Sequence, residues 1–321
     1  MAGLGVLGIG FHLPTSEVDN TTIAEQCGAD PDWIEGRTGV ISRRRAPLDQ
    51  TTCDLATAAA ADAIVAAGYR PDFLILAASV PDRPMPPTAP SVQRRLGLNG
   101  TAAFDVNAAC AGFVHALAMG WGATRIGLSE IPLVIGVDVL SRYVDPSDRR
   151  TAPLFGDGAG ALVLGPVPEG YGLLAARLWA DGAFSELIRI PLRPDRRQGD
   201  AIPAASYFEM DGHAAADAVV RVVPEALCQC LHDAGLADHQ VDRLIVHQAN
   251  VRLVETLRRS LGLSDGQMPA TGRTTGNTGA ASIPVGLALS NQERPLRRDE
   301  IVALLTMGAG ASVGVAVIRW H

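Results

Sequence analysis

Short runs of apolar residues alternate with longer, alanine-rich stretches along most of the chain. The runs have the length and the β-branched content of buried strands, and the stretches have the length of helices. The pattern predicts strands at residues 4–9, 73–79, 103–106, 132–137, 161–164, 173–178, 243–246, 301–305 and 312–319. It predicts helices at residues 51–67, 112–124, 214–234 and 251–261. Strands that alternate with helices indicate an α/β fold built in layers.

The two halves of the chain carry similar patterns in the same order. Phe73-Leu-Ile-Leu-Ala-Ala-Ser resembles Arg243-Leu-Ile-Val-His-Gln-Ala, and the glycine-rich run after Gly156 resembles the run after Gly308. These pairs predict a duplicated α/β unit. Gly165-Pro-Val-Pro-Glu-Gly has the composition of a connecting loop, so the first half is predicted at 1–168 and the second at 169–321. The polar segment 193–203 is interpreted as a surface excursion.

Composition narrows the function classes. The chain has 321 residues, 47% of them hydrophobic, which is enough for a large core. Acidic residues outnumber basic ones by 34 to 27, and all 27 basic residues are arginine. Schiff-base enzymes, pyridoxal enzymes and lysine-dependent phosphate loops are excluded, because each needs an amine. The acidic balance disfavours nucleic acid as a partner, and Arg43-Arg44-Arg45 is interpreted as a solvated face.

Cysteine usage and hydropathy predict a cytoplasmic protein outside the membrane. An odd number of scattered cysteines predicts free thiols in a reducing compartment; they stand at positions 27, 53, 110, 228 and 230. The longest uncharged stretch, 302–318, is shorter than the roughly 20 residues of a spanning helix and contains glycines. It is therefore interpreted as a hairpin in the core.

Two patterns that resemble ligand sites are discounted. Gly156-Asp-Gly-Ala-Gly is followed by a strand, whereas a dinucleotide loop precedes a helix. Cys228, Cys230 and His232 have metal-like spacing, but on a helix Cys230 points away from the other two. The sequence therefore predicts no nucleotide cofactor and no metal.

Cys110 is the first candidate for chemistry. It follows an apolar run and precedes an alanine-rich stretch, so it is placed in a turn from a strand to a helix. The amide groups of the first helical turn lack partners and the helix dipole is positive there. Both effects predict a thiol that is shifted toward thiolate, the form that attacks acyl groups.

Two side chains in the second half are candidate partners of this thiol. His247 ends the predicted strand 243–246, and Asn277 lies between glycines in Gly276-Asn-Thr-Gly. Each has a structural explanation when taken alone. A histidine after a strand is commonly structural, and an asparagine between glycines is commonly a turn residue. Their combination with Cys110 favours a functional role.

Four motifs together resemble the ketoacyl-ACP synthase III family, which has the thiolase fold. They are Asp105-Val-Asn-Ala-Ala-Cys-Ala-Gly-Phe, Phe155-Gly-Asp-Gly-Ala-Gly-Ala, His247-Gln-Ala-Asn-Val-Arg and Gly276-Asn-Thr-Gly-Ala-Ala-Ser-Ile-Pro. The resemblance implies a five-layer αβαβα core made of the two halves. It also implies that Cys110 accepts an acyl group, while His247 and Asn277 bind the thioester carbonyl of a malonyl group that loses carbon dioxide.

The chemistry of condensation explains these residue types. A thiolate accepts an acyl group from a thioester, which divides one difficult step into two easier ones. Loss of carbon dioxide from a malonyl unit leaves an enolate, whose oxygen is stabilised by N–H donors. An aspartate in place of Asn277 would repel that oxygen. Asn277 therefore favours condensation over the alternative, in which the acyl group passes to an alcohol, an amine or another carrier.

The resemblance assigns further residues around this centre. The backbone amides of Cys110 and Ala309 would form the oxyanion hole, although Met307 and Ala309 depart from the aromatic residue and the glycine that the family usually has there. Coenzyme A or pantetheine would contact four residues: Trp33, Arg37, Arg149 and Asn250. A planar indole and a guanidinium can hold a purine between them.

The carrier of the thioesters is left open by the sequence. Arg252, Arg258 and Arg259 match the helix on which the family docks its acidic carrier protein, although a solvated helix face explains them as well. His213, Ala216 and Asp217 depart from the family's usual residues in the coenzyme A groove. The expected substrates are an acyl-CoA or acyl-ACP as donor and malonyl-ACP as acceptor, without a cofactor.

The resemblance also predicts a homodimer, with Met85 of one subunit closing the acyl pocket of the other. The remaining pocket residues would be Met307, Ala311 and Val313. These are smaller or softer than the aromatic residues usual in the family, which predicts a starter larger than acetyl. Such a starter fits the priming of polyketide synthesis better than ordinary fatty-acid synthesis. A non-catalytic partner subunit is disfavoured because Cys110 is present.

Overall fold

A computed structural model describes residues 2–191 and 206–321, so the segment 193–203 lies outside the described residues. The strands are β1 Gly3–His12, β2 Glu17–Asp19, β3 Ser42–Arg44, β4 Phe73–Ala77, β5 Ala102–Val106, β6 Pro132–Val139, β7 Asp157–Val167, β8 Gly172–Trp179, β9 Ile188–Arg189, β10 Glu209–Met210, β11 Arg243–Val246, β12 Ile301–Gly308 and β13 Ser312–Arg319. The α-helices are α1 Asn20–Cys27, α2 Pro31–Thr38, α3 Thr52–Ala67, α4 Ala89–Arg95, α5 Gly112–Arg125, α6 Gly212–Asp233, α7 Val251–Ser260, α8 Gly272–Thr275 and α9 Ser282–Glu293.

Two mixed sheets form the framework. The first has five strands in the order β1-β7-β6-β4-β5, with β4 parallel to both β5 and β6. The second has four strands in the order β11-β12-β13-β8, with β11 parallel to β12. In each sheet the parallel strands are followed by antiparallel ones, so the two sheets repeat one topology.

The helices form three layers around these sheets. α3 packs on β1 and β7 outside the first sheet, and α6 packs on β13 and β8 outside the second. α5 and α9 lie between the sheets and contact strands of both. The central core accordingly joins residues of both halves, among them Phe113, Leu117, Ile283 and Leu304. This arrangement confirms the predicted duplicated α/β fold with five layers.

Glycines allow the layers to approach closely at particular strands. A Cβ on Gly8 or Gly10 of β1 would lie 2.2 Å from a backbone oxygen of α3. A Cβ on Gly160 of β7 would lie 2.7 Å from Pro284 of α9. Gly158 and Gly160 are thus strand residues of β7, and Gly160 makes room for α9.

Most predicted elements are present, with ends that differ by a few residues. β11 and β13 have the predicted limits, and β12 and β13 form the predicted core hairpin. β7 ends at Val167 and β8 begins at Gly172, so the chain changes sheet beside the predicted boundary at 168. Within the described residues, no helix has both the length and the hydropathy required to cross a bilayer.

The interpretation of the arginine run as a solvated face is wrong for Arg43. Its side chain is fully buried, and its guanidinium donates to the Asn20 side chain and to the Pro153 carbonyl, each at 2.8 Å. Burial lowers the pKa of Arg43 to about 10. A charge run alone gave no sign of these partners, because they come from distant parts of the chain.

Candidate active site

The turn that carries Cys110 lies between β5 and α5, as predicted. Ala109, directly before it, has φ 49°, a strained conformation for a residue with a side chain. The Thr306 hydroxyl of β12 donates to the Cys110 carbonyl at 2.9 Å. A Cβ on Gly308 would lie 3.0 Å from the Cys110 nitrogen, so the end of β12 touches the turn. The second half therefore holds the cysteine of the first.

The predicted shift of Cys110 toward thiolate is wrong for the protein without substrate. Although part of the residue is accessible, burial raises the pKa of the thiol to about 12, and the charge of Asp138 adds to the effect. The Cys110 backbone N–H acts in the opposite direction and is too weak to prevail. Helix position alone predicted an acidic thiol because desolvation is not visible in the sequence.

His247 follows β11 and is held by the neighbouring strand. Its backbone N–H donates to the Leu305 carbonyl of β12 at 2.9 Å, and the residue is 7% exposed. Burial lowers the pKa of the imidazole to about 4, so the ring is neutral at physiological pH. Its Nδ1 atom is buried and has no hydrogen-bond partner among the described residues.

Asn277 lies in the turn between α8 and α9 and is fixed to the first half. Its backbone N–H donates to the Leu154 carbonyl at 2.8 Å, and its own carbonyl accepts from the Gly156 N–H at 3.0 Å. Its side-chain Oδ1 accepts from the Gly279 N–H at 2.9 Å. Because the oxygen is used inside the turn, the Nδ2 group is the end of the amide left to donate to a ligand.

The predicted oxyanion-hole loop continues β12 as Ala309–Ala311. Gly310 has φ 70° and Ala311 has φ 45°, both in the left-handed region. Ala309 follows Gly308, the residue that touches the Cys110 turn, so the second predicted amide donor is one residue from that contact. Ala309 itself is not in the left-handed region, since the positive φ angles fall on Gly310 and Ala311.

Trp33 and Arg149, two of the predicted coenzyme A residues, contact each other at the surface. Trp33 is on α2 and 41% exposed, and the Arg149 guanidinium carbon lies 5.6 Å from the centre of a Trp33 ring. Arg37, on the same helix, has a guanidinium nitrogen 3.2 Å from His213 Nε2. Asn250 is the N-cap of α7, where its Oδ1 accepts from the Arg252 N–H at 2.8 Å.

The three predicted docking arginines have different surroundings. Arg252 donates to the carbonyls of Gly36 and Glu35, each at 3.2 Å, and so ties α7 to α2. Arg258 is paired with Asp265 at 2.8 Å, whereas the exposed Arg259, among the described residues, donates only to the Glu255 carbonyl of its own helix. The basic surface offered by α7 is therefore smaller than the sequence predicts.

The predicted pocket residues do not all lie together in one chain. Ala311 and Val313 are buried, and Met307 borders a cavity of about 30 Å³ that adjoins His247. Met85 is 84% exposed, on the loop between β4 and α4.

The thiols of Cys228 and Cys230 on α6 point apart. Cys228 is exposed and hydrogen-bonded to Asp238, while Cys230 is buried and hydrogen-bonded to Val315 of β13.

Several residues that shape the site were not identified from the sequence. Asp138 accepts from the Ala280 N–H in the turn after Asn277, Ser79 donates to Asp138, and Thr306 donates to the Cys110 carbonyl. The sequence does mark Asp138 as unusual, because it is the only charged residue in the otherwise apolar strand β6. The predicted strand ended at residue 137, which placed Asp138 outside the apolar run.

The fold and the site define a thiol-dependent acyltransferase of the thiolase class. Models of the family described as 3-oxoacyl-(acyl carrier protein) synthase III match residues 104–182, and its C-terminal model matches residues 231–320. The acetoacetyl CoA synthase NphT7 of a Streptomyces species is 41% identical, over 98% of each chain. The β-ketoacyl-(acyl carrier protein) synthase III of Symbiobacterium thermophilum is 37% identical, over 99% of this chain and 98% of the relative.

Solved structures give the same result. The 3-oxoacyl-(acyl carrier protein) synthase III of Pseudomonas aeruginosa has a TM-score of 0.92 and 37% identity, over 99% of this chain and 98% of that one. The priming β-ketosynthase of a polyketide pathway has a TM-score of 0.92 and 29% identity, over 99% and 96%. The chain belongs to the 3-oxoacyl-(acyl carrier protein) synthase III family and is a condensing acyltransferase.

Proposed function

We propose that the protein loads an acyl starter on Cys110 and condenses it with malonyl-ACP, with loss of carbon dioxide, to give a 3-oxoacyl-ACP. The observation that carries this proposal is the arrangement around β12. Thr306 of this strand holds the Cys110 turn, and Leu305 holds His247. The Asn277 backbone is hydrogen-bonded to Leu154 and Gly156 of the first half. Hydrogen bonds between the two halves therefore fix the backbone at Cys110 and at Asn277, and a bond to β12 fixes it at His247.

The first step is a thioester exchange. Because the free site holds a neutral thiol and a neutral imidazole, the proton of Cys110 leaves with the departing thiolate of the donor. One C–S bond forms at Cys110, one breaks in the donor, and a free thiol is released. The amides of Cys110 and Ala309 stabilise the oxyanion of the tetrahedral intermediate.

The second step forms the carbon–carbon bond. The malonyl thioester loses carbon dioxide, and the electron pair of the broken C–C bond forms an enolate. Its oxygen accepts from the Nε2–H group of neutral His247 and from Nδ2 of Asn277. The enolate carbon then attacks the acyl group on Cys110, the C–S bond breaks, and the thiolate takes up a proton. No cofactor is required, since carbon dioxide release drives the step.

The donor is an acyl-CoA or acyl-ACP bound at the contact between Trp33 and Arg149. Arg37 and Asn250 lie beside its pantetheine. The close approach of Trp33 and Arg149 supports this assignment, because the two groups can separate to admit a purine. For the acceptor, Arg259 is exposed on α7 and has no ion pair within the part of the chain that the structure describes, so it is available to an acidic carrier. The name of the Streptomyces relative, an acetoacetyl CoA synthase, supports malonyl-CoA as an alternative acceptor.

The starter pocket is completed by a second copy of the chain. β5 is the edge strand of the first sheet, and its unpaired edge is suited to pairing with another β5 in a homodimer. Met85 is exposed in the single chain. In the proposed homodimer it would be covered by the other subunit, beside Met307 and Ala311 of that subunit. A pocket lined by these methionines supports a starter larger than acetyl and a role in priming polyketide or fatty-acid synthesis.

The five free cysteines support a cytoplasmic location.

Mass spectrometry of the Cys110 peptide tests the proposal. The protein is mixed with a panel of acyl-CoA and acyl-ACP donors and then with malonyl-ACP or malonyl-CoA, while carbon dioxide is measured. Acyl mass that appears on Cys110 and disappears with carbon dioxide release supports condensation and identifies the starter. Acyl mass that persists until an alcohol or amine is added supports the alternative acyltransferase. A larger effect of Arg259→Ala with malonyl-ACP than with malonyl-CoA supports carrier docking on α7.

A further inference from the structure

Asp138 is a fully buried carboxylate inside the molecule. It lies in β6, where every other residue of Pro132–Val139 is apolar. Burial raises the pKa of its side chain to about 7, against the effect of its hydrogen bonds. A carboxylate in such a place is costly unless its oxygens are well satisfied, so its partners indicate what it is for.

The partners of Asp138 come from both halves of the molecule. Its Oδ1 accepts from the backbone N–H groups of Ser79 and Val80, at 2.7 and 3.1 Å. Its Oδ2 accepts from the Ser79 hydroxyl at 2.9 Å and from the Ala280 N–H at 2.7 Å. The carboxylate thus joins the end of β4, in the first half, to the turn after Asn277, in the second.

That turn determines the direction of the Asn277 amide. Gly279, whose N–H binds Asn277 Oδ1, directly precedes Ala280, whose N–H binds Asp138. A Cβ on Gly279 would lie 2.2 Å from Asp138 Oδ2, so the turn rests against the carboxylate. A displacement of Asp138 would move the Gly279 and Ala280 amides together and with them the Asn277 side chain.

The charge of Asp138 also reaches the nucleophile. It raises the pKa of the Cys110 thiol and of the Tyr143 phenol by repulsion of the negative forms. Asp157, on the neighbouring strand β7, is also buried, but it pairs with Val139, so its side chain lies on the other face of the sheet, where it is bonded to Ala46 and Ser141. The groups that bond to Asp138 itself are neutral N–H and O–H donors.

We propose that Asp138 is a positioning residue that locks the Asn277 turn to the first half and so orients the Asn277 amide for enolate stabilisation. This inference rests on the proposed function. The carboxylate improves the second step by geometry and opposes thiolate formation in the first step by charge. Its removal therefore has opposite effects on the two steps, which loss of structure alone does not produce.

Asp138→Asn tests this inference, because it keeps the size of the side chain and removes the charge. Its amide keeps one acceptor oxygen, but its NH₂ group faces N–H donors, so the bonds on one side of the junction between Ser79–Val80 and Ala280 are lost. We expect carbon dioxide release from the malonyl thioester to fall by about tenfold or more. We expect iodoacetamide to alkylate Cys110 faster than in the wild type, with a pH profile moved to lower pH. Thermal unfolding of both proteins establishes that the variant is folded.

Ser79→Ala is the matched control, since it removes one bond to Asp138 and keeps the charge. We expect a fall of about threefold in carbon dioxide release and an unchanged alkylation profile. Equal carbon dioxide release in Asp138→Asn and the wild type, or a parallel fall of both rates, would overturn the inference. If Asp138→Asn does not fold, unchanged release in Ser79→Ala overturns it. A wild type that releases no carbon dioxide would refute the proposed function, while the alkylation profiles would still test the charge of Asp138.

Discussion

Cys110 and His247 lie in surroundings that favour the neutral form of each side chain. Burial raises the pKa of the thiol to about 12 and lowers the pKa of the imidazole to about 4. The free site therefore carries neither a thiolate nor an imidazolium. In the proposed reaction, a neutral imidazole keeps an N–H donor for the enolate without attracting the malonyl carboxylate, whose departure the reaction requires.

The reactivity of Cys110 should increase with pH over the whole accessible range. Because its pKa is about 12, the fraction of thiolate rises about tenfold per pH unit below that value. Iodoacetamide labelling of the Cys110 peptide, measured by mass spectrometry between about pH 7 and pH 9, checks this. A labelling rate that reaches a plateau below pH 8 would show that the thiol is acidic after all. Cys110→Ser controls for labelling of other cysteines.

His247 should make the protein less stable in acid. The unfolded chain binds a proton at the ordinary pKa of 6.5, whereas the folded chain does so at about 4. Stability from the neutral ring is therefore present above pH 6.5 and is lost as the pH falls toward 4, by about 3 kcal/mol in all. Urea unfolding of the wild type and of His247→Gln at both ends of this range measures the difference. The same loss in both proteins would exclude His247 as its source.

Asn277→Asp should separate the two steps of the reaction. The carboxylate keeps an oxygen for the Gly279 N–H but places negative charge beside the enolate. We expect carbon dioxide release to fall by about 100-fold or more, while acyl loading of Cys110 stays within about twofold of the wild type. Mass spectrometry and carbon dioxide measurement on the same sample check both parts. Equal losses in both steps would mean that Asn277 has a general structural role.

The sequence identified the candidate catalytic residues but not their electrostatic state. Cys110, His247 and Asn277 were predicted from their places at strand and turn ends, and those places are as expected. The thiol pKa was predicted in the wrong direction, and the burial of Arg43 was missed. Both errors have one origin, since desolvation depends on which distant segments cover a residue.

At the scale of elements, the end of β12 contacts the turn that carries Cys110 and holds it in place. Gly308 has φ −125°, which alanine adopts without strain, so Gly308→Ala tests the contact with Cys110 rather than the backbone. We expect acyl loading to fall by at least about tenfold and stability by about 1–3 kcal/mol, as the added methyl group pushes the segments apart.

Gly122→Ala is the comparison for this substitution. Gly122 lies inside α5, and its Cβ would meet open space. We expect this variant to be more stable by about 0.5–1 kcal/mol and to load acyl groups normally. Urea unfolding and Cys110 acylation of the two variants, made side by side, check the pair. Normal acylation in Gly308→Ala would show that the turn does not depend on β12.

The elements that were missed are those without a periodic pattern. α9 is buried on nearly all sides, so it has no polar face that marks a helix, and it begins with Ser-Ile-Pro. α2 is short and polar, and its start is fixed by Asp30, whose side chain accepts from the Asp32 and Trp33 N–H groups. Such elements are specified by their neighbours, whereas β11 and β13 are evident from their composition alone.

At the scale of the whole molecule, the proposed homodimer makes Met85 part of the site of the other subunit. Met85→Glu should weaken the dimer and reduce acyl loading, since a carboxylate would be buried at the subunit contact. Leu48→Glu is the matched control, because Leu48 is 94% exposed and is not assigned to the contact. Sedimentation velocity measures both variants. Equal dimer stability in the two would place the subunit contact elsewhere.

The shared central layer has a consequence for synthesis on the ribosome. α5 ends at Arg125, but one of its faces packs on β12 and β13, and the first of these strands begins only at Ile301. Until then the nascent first half exposes an apolar helix face, and Cys110 lacks the Thr306 bond that holds its turn. The turn that carries Cys110 is therefore held in place only after β12 has been synthesised.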